Sequence, residues 1–293
     1  MGPNIAFLGT GLMGAPMARN LILAKYSLKL WNRSQEKLIP LVNIGGEATE
    51  FSESVVRNAD IICMMLENGP VVEEVLFNQR LLDNIKKHAV VIDMSSIPPE
   101  LAQEHSKKLG QLGIYHIDAP VSGGTTGADE GSLAIMAGGD FDVFNKIVDF
   151  FTPLGTATYV GPSGSGQIAK LANQIICGGY LTAVAEGLTL AAAGGANIAK
   201  VREALMGGFA DSKVLQIHGN RMVDRKFEPG GKCHIFLKDL NTVLSTANKL
   251  DLELPTAKLV NEIYTEVCNL GWGDLDQAAS LLAIENKNSS IKK

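Results

Sequence analysis

Hydrophobic positions follow two rhythms along this chain. Up to about residue 161, short apolar runs alternate with amphipathic stretches. The runs are "NIAFLG" from Asn4, "LKLWN" from Leu28, "ADIICMML" from Ala59, "HAVVIDMSS" from His88, "IYHIDAP" from Ile114, "LAIMAGG" from Leu133 and "ATYVG" from Ala157. Between most of them lie stretches of helical spacing, among them Leu12 to Ala24, Val71 to Phe77 and Glu100 to Leu112. Strand, helix, strand in repetition predicts a doubly wound α/β unit: a parallel sheet covered by helices on both faces. The unbroken apolar character of the runs fits strands buried on both sides.

The rhythm changes after "GPSGSG", Gly161 to Gly166. A long run rich in Ala, Leu and Ile extends from Gln167 to about Ala193, and helical stretches follow at Ile198 to Leu205, Phe236 to Lys249 and Thr256 to Leu270. No further strand pattern appears, so the second half reads as all-helical. The predicted division is residues 1–163 for the α/β domain and 164–293 for a helical domain. The polar tail "ENKNSSIKK" is expected to fray.

Composition narrows the choices. The 293 residues are 46% hydrophobic and 19% charged, enough for two ordinary domains with large cores. The formal net charge is −5 and no Lys/Arg cluster stands out, which argues against nucleic acid as a partner. Cys63, Cys177, Cys233 and Cys268 are far apart and form no CxxC pair; they read as reduced thiols of a cytoplasmic protein, and no zinc site is expected from them. No secretory leader or myristoylation signal is read at the start. The longest uncharged apolar stretch, Leu171 to Ala185, reads as a buried helix too short for a bilayer, so no membrane partner is expected.

The first strand runs into "GTGLMG", Gly9, Thr10, Gly11, Leu12, Met13 and Gly14, with the spacing G-x-G-x-x-G. Alone, the motif is equally a tight turn. Between an apolar strand and a helix it has the setting of a Rossmann dinucleotide site. Gly9 permits the turn, Gly11 admits the pyrophosphate, Gly14 lets helix and strand pack closely, and the helix N-terminus offers N–H groups to phosphate. After the second strand an acid would favour NAD, but the residues are Asn32, Arg33 and Ser34, with Lys37 nearby. Arg33 and Ser34 suit a 2′-phosphate, so NADP is expected, with NAD possible; the alternative is a solvated turn.

Three further segments carry candidate chemistry. In "IDAPVSGG", Ser122, Gly123 and Gly124 form either a plain turn or an anion clamp made of a hydroxyl and successive N–H groups. In "GSGQIAKLANQ", a glycine-rich entry leads into a long helix that carries Lys170, with Asn173 and Gln174 three and four residues on and on the same face. A lysine near a helix N-terminus in apolar surroundings has its charged form disfavoured, as an acid/base near neutral pH requires; the alternative is an ordinary exposed lysine. In "IFLKDLNTVL", Lys238 and Asp239 flank an apolar stripe and read equally as a solvated pair. The five histidines are scattered, with no HExxH, and no G-x-S-x-G elbow appears.

Together, "GTGLMGAPMARNL", "DAPVSGG", "GSGQIAKLANQ" and "KDL" occur in the order and spacing of the β-hydroxyacid dehydrogenases, the 3-hydroxyisobutyrate dehydrogenase-like family, and the resemblance covers essentially the whole chain. Within the family, "KLANQ", "GGFADSKVL", "RMVDRKFEPG" and "HIFLKDL" look most like the tartronate semialdehyde reductase branch. The resemblance implies Lys170 as catalytic residue, Ser122, Gly123 and Gly124 on a substrate carboxylate, and Asn173 and Gln174 beside the substrate. It implies Lys238 near cofactor and substrate, Ser95 or Ser96 near the nicotinamide, and Met65 and Leu66 against the cofactor. Gln174 stands where many relatives carry Asn, and "EPGGK" lacks an aromatic after Pro-Gly. The implied reaction is NADPH-dependent reduction of a small anionic semialdehyde to a hydroxyacid, tartronate semialdehyde to glycerate foremost, by a homodimer or homotetramer. Other members would act on 3-hydroxyisobutyrate, glyoxylate or succinic semialdehyde. A scaffold that binds NADP without catalysis would not need Lys170, and a decarboxylating 6-phosphogluconate dehydrogenase would need a much larger helical domain.

Overall fold

The computed structural model describes residues 2–288 and divides the chain into two compact units, Met1–Lys170 and Leu171–Lys293. In the first, β1 (Asn4–Leu8) leads to α1 (Gly14–Leu23), β2 (Ser27–Trp31), α2 (Ile39–Val42), β3 (Glu47–Ala48), α3 (Ser52–Val56) and β4 (Ile61–Met64). Then come α4 (Gly69–Leu76), α5 (Gln79–Leu82), β5 (Val90–Asp93), α6 (Pro99–Gln111), β6 (Tyr115–Asp118), β7 (Val121–Ser122), α7 (Gly124–Glu130), β8 (Leu133–Gly139), α8 (Phe141–Ile147) and β9 (Gly155–Gly161). The strand order is β3-β2-β1-β4-β5-β6-β8-β7, with β9 against β8.

The central strands show why their sequences are apolar throughout. Ile5 and Phe7 of β1 pack with Met17 and Leu21 of α1 on one face. Ala6 and Leu8 pack with Val72 of α4 and Ala102 of α6 on the other. The apolar residues of β4 and β5 alternate in the same way between the two helix layers. From β3 to β6 the strands are parallel. The sheet is not parallel throughout: β8 runs antiparallel to β6 and β7, and β9 is parallel to β8. The order reverses between β1 and β4, and the carboxyl ends of the strands at such a switch point are where open α/β sheets hold ligands.

The second unit continues α9 (Ser165–Ala193), whose first turns belong to the first unit, and adds α10 (Ile198–Leu205), α11 (Lys213–Asp224), α12 (Cys233–Lys249), α13 (Pro255–Asn269) and α14 (Ser280–Lys287). Its core gathers Leu181, Ala185 and Leu188 of α9, Phe236 and Leu240 of α12, and Val260, Tyr264 and Val267 of α13. At 29 residues α9 is longer than the Leu171–Ala185 stretch suggested, and by length and composition it could cross a membrane. Yet Leu181, Ala185 and Leu188 are core residues, and Glu186 interrupts the apolar run. The tail expected to fray begins inside α14, which includes Glu285 to Lys287; residues 289–293 lie outside the described residues.

Candidate active site

The glycine turn is built as its spacing predicts. Gly9 has φ +96°, and a Cβ there would meet the Met65 carbonyl oxygen and lie 2.8 Å from Leu66 Cδ2. A Cβ on Gly14 would meet the Gly9 carbonyl oxygen and lie 3.3 Å from Phe7 Cε1. Only glycine fits either place. Gly11 faces open space. Leu12 is exposed, Met13 half-buried and Thr10 buried. The loop is tied to the next strand: Gly9 N–H donates to Trp31 O at 2.9 Å, and Thr10 N–H to Asn32 Oδ1 at 3.0 Å. Met65 N–H donates to Leu8 O at 2.9 Å, so the half-buried Met65 and Leu66 flank the same turn.

These residues fit a dinucleotide. The N-terminus of α1 has no side-chain cap and no acid in its first turn, so nothing competes with an incoming phosphate. Among the described residues the buried Thr10 hydroxyl has no hydrogen-bond partner. Asn32 is committed to the turn, since its amide also donates to Ser34 O at 2.9 Å. Arg33 is exposed and Ser34 half-buried just beyond β2. Ser95 is fully buried; its hydroxyl accepts from Leu66 N–H at 2.9 Å, and its N–H donates to Asp93 Oδ1 at 2.9 Å. Ser96 is half-buried.

The segment read as an "SGG" loop is a strand end and a helix start. Ser122 pairs with Ala134 in the sheet, and Gly123, with φ +142°, turns the chain into α7 at Gly124. Ser122 is half-buried, and both glycines are exposed. Lys170, half-buried in the second turn of α9, places its Nζ 2.8 Å from Val121 O as donor. The lysine and the serine-glycine turn are thus brought together across 49 residues of sequence.

Two positioning residues carried no signal in the sequence. Asp118 is fully buried; its Oδ1 accepts from Gly164 N–H at 2.8 Å and its Oδ2 from Gln167 N–H at 3.0 Å, so it caps the start of α9 from another strand. Burial, with a smaller push from the Asp93 charge, raises its carboxyl to about 7 against the opposing pull of those N–H groups. Gln167, also buried, donates to Ser95 O at 2.9 Å and accepts from Ile97 N–H at 3.2 Å. An i to i+2 pattern in "DMSS" or "DAP" could not reveal either link, because each partner lies tens of residues away.

In the helical unit, Gln174 is buried. It donates to Asp239 Oδ2 at 2.6 Å and accepts from Asn173 Nδ2 at 2.8 Å. Asn173 is half-buried. Lys238 Nζ lies 3.2 Å from Asp239 Oδ1, and Asp239 is buried, which excludes the solvated-pair reading.

Known proteins resemble this chain in sequence and fold. A family model described as the NAD binding domain of 6-phosphogluconate dehydrogenase matches residues 4–179, and one described as the NAD-binding of NADP-dependent 3-hydroxyisobutyrate dehydrogenase matches residues 164–284. The chain is 40% identical over 284 residues to 2-hydroxy-3-oxopropionate reductase of Escherichia coli (strain K12), covering 96% of this chain and 97% of that protein. It is 30% identical to NAD-dependent L-serine dehydrogenase of Pseudomonas aeruginosa, covering 93% and 95%. Among solved structures, 3-hydroxyisobutyrate dehydrogenase of Mycobacterium tuberculosis with L-serine superposes with a TM-score of 0.87 at 26% identity, covering 97% and 99%.

Proposed function

The chain belongs to the 3-hydroxyisobutyrate dehydrogenase-like family of NAD(P)-dependent β-hydroxyacid dehydrogenases, and on that premise we propose that it reduces tartronate semialdehyde to glycerate with NADPH and Lys170 as general acid. The observation that carries this reading is the hydrogen bond from Lys170 Nζ to Val121 O, one residue before the turn Ser122–Gly124. It puts a proton donor beside a group of N–H and O–H donors suited to a carboxylate.

When bound, the dinucleotide supplies the hydride. Gly9, Thr10, Gly11, Leu12, Met13 and Gly14 hold its pyrophosphate through the turn and the α1 N-terminus. Asn32 fixes the turn to β2, while Arg33 and Ser34 take the 2′-phosphate. Met65 and Leu66 cover one side of the site. Ser96 is the more accessible of the serine pair, and Ser95 shapes the loop. Ser122, Gly123 and Gly124 bind the substrate carboxylate and so set its distance and angle. The Lys170 ammonium moves a proton to the aldehyde oxygen as the carbon receives hydride, giving the alcohol and a neutral amine that solvent reprotonates.

The committed amide of Gln174 supports a division of labour on α9. Asn173 meets the substrate hydroxyl, and Gln174, held by Asp239, orients Asn173. Lys238 sits at the edge of the same network and is assigned to cofactor and substrate. A site built to bond a hydroxyl rejects analogues that lack one, because its own groups are left unpaired. The exposed Ile176, Tyr180, Leu190 and Phe209 support a homodimer or homotetramer, and the four free cysteines support a reducing, cytoplasmic setting.

The test is kcat/KM with NADPH for tartronate semialdehyde, glyoxylate, succinic semialdehyde and methylmalonate semialdehyde. Tartronate semialdehyde should lead the panel. Best use of succinic semialdehyde would move the chain to another branch of the family, and no turnover of any aldehyde would favour a scaffold that binds NADP without catalysis.

A further inference from the structure

Asp93, His105 and His116 take no part in the reduction described above. Asp93 ends β5, His116 lies on the neighbouring β6, and His105 lies on α6, which packs over the same face of the sheet. Their exposures are 0%, 4% and 0% for Asp93, His116 and His105. One donor atom of each lies within 4.8 Å of the other two. The two imidazole rings stand edge to face with centroids 6.2 Å apart.

Among the described residues, none of the four imidazole nitrogens has a hydrogen-bond partner. Sealing such a group in a protein interior without a partner is costly, and interiors avoid that cost unless something answers it. Packing alone is no answer, because two apolar side chains would fill the space without unmade bonds. Burial also pulls the pKa of His105 down to about 4 and that of His116 to about 3. An imidazole ring nitrogen that is not protonated has a lone pair to give to a metal.

Two neutral imidazoles and a carboxylate form a donor set for borderline transition ions such as zinc, whereas magnesium and calcium prefer oxygen alone. Outer partners are present as well. The Glu73 carboxylate lies 3.9 Å from His105 Nε2, and Asp93 Oδ1 accepts the Ser95 N–H. A backbone N–H that holds a ligand carboxylate in this way orients it, as outer partners do in metal sites. Donors bound at ~2.0–2.2 Å stand about 3.2–3.6 Å apart around a tetrahedral ion, so the three need only draw inward by roughly an ångström.

We propose that Asp93, His105 and His116 bind a divalent transition ion of the zinc class, with water in the remaining position. The ion would pin α6 to β5 and β6 beneath the Ser95–Ser96 turn. It is separate from the hydride-transfer site and does not depend on the identity of the aldehyde.

The experiment uses untagged full-length protein, freed of metal with a chelator and titrated with Zn2+ against a chromophoric competitor. The wild type should take up one tight equivalent per chain and melt at a higher temperature once loaded. His105→Phe and His116→Phe should each lose that equivalent, while His234→Gln, at an exposed histidine, should keep it. Should the phenylalanine variants fail to fold, Co2+ added to the wild type should still give the visible absorption of a nitrogen-coordinated ion of low coordination number. No stoichiometric Zn2+ uptake by the wild type, no such Co2+ spectrum, or an equivalent retained by both folded phenylalanine variants would overturn the proposal.

Discussion

The two units build their functional features from different material. In the sheet unit the candidate site is mostly backbone: a glycine turn, an uncapped helix start, strand ends and a serine-glycine turn. Its geometry is enforced by contact, since a single carbon added at Gly9 or Gly14 would strike a carbonyl oxygen. In the helical unit the corresponding feature is made of side chains, with Gln174 held between Asn173 and a buried Asp239. The backbone turn is constrained most tightly at Gly9 and Gly14, where no side chain fits. A side-chain network depends instead on every polar atom keeping its partner.

That contrast can be tested by substitution, and the largest effect should come from Gly14→Ala. Helix propensity alone would make alanine favourable by about 1 kcal/mol at this position. Contact with the Gly9 carbonyl and Phe7 should reverse the sign and cost about 3 kcal/mol, seen as a lower denaturant midpoint and weaker NADPH binding. Unchanged stability would show that the turn yields more readily than its contacts indicate. Gln174→Leu comes next. It strips a hydrogen bond from the buried Asp239 carboxylate and should cost about 2 kcal/mol in chemical unfolding, together with a rise in KM for the aldehyde as Asn173 loses its support. A variant of normal stability would mean that the remaining partners of Asp239 satisfy it.

Arg33→Asp addresses only the exposed edge of the cofactor site. It should raise KM for NADPH about tenfold while leaving KM for NADH unchanged or lower. Equal losses with both cofactors would remove Arg33 from 2′-phosphate recognition. The smallest effect belongs to Gly187, exposed on α9, where an added methyl group would meet nothing within 4 Å. Gly187→Ala should gain about 0.5–1 kcal/mol through helix propensity, read as a small rise in Tm. A loss in place of the gain would place Gly187 against another copy of the chain.

The same contrast explains what the sequence made visible. The glycine turn could be read because its demands fall on residues five positions apart between a strand and a helix. The central strands could be read because burial on both faces leaves an unbroken apolar run, as in Ile61 to Met64. The reversal of β8 could not, since "LAIMAGG" has the same pattern whichever way its neighbour runs. The strands β3 and β7 have two residues each, too few for any period. The Asp118 cap joins groups 46 and 49 residues apart, and the histidine pair meets only because α6 folds back over β5 and β6. Lys170 could be nominated from its glycine-rich helix entry, but its bond to Val121 O required the fold.

The central claim is that Lys170 supplies the proton while the sheet unit holds the dinucleotide without it. Lys170→Met tests this most directly when NADPH affinity and the single-turnover rate of NADPH oxidation by tartronate semialdehyde are measured on the same preparation. The account predicts NADPH affinity within about twofold of the wild type, and a hydride-transfer rate lower by about 10²-fold or more, the usual worth of a positioned acid. A near-normal rate with intact NADPH binding would contradict it and reduce Lys170 to a strut between α9 and β7.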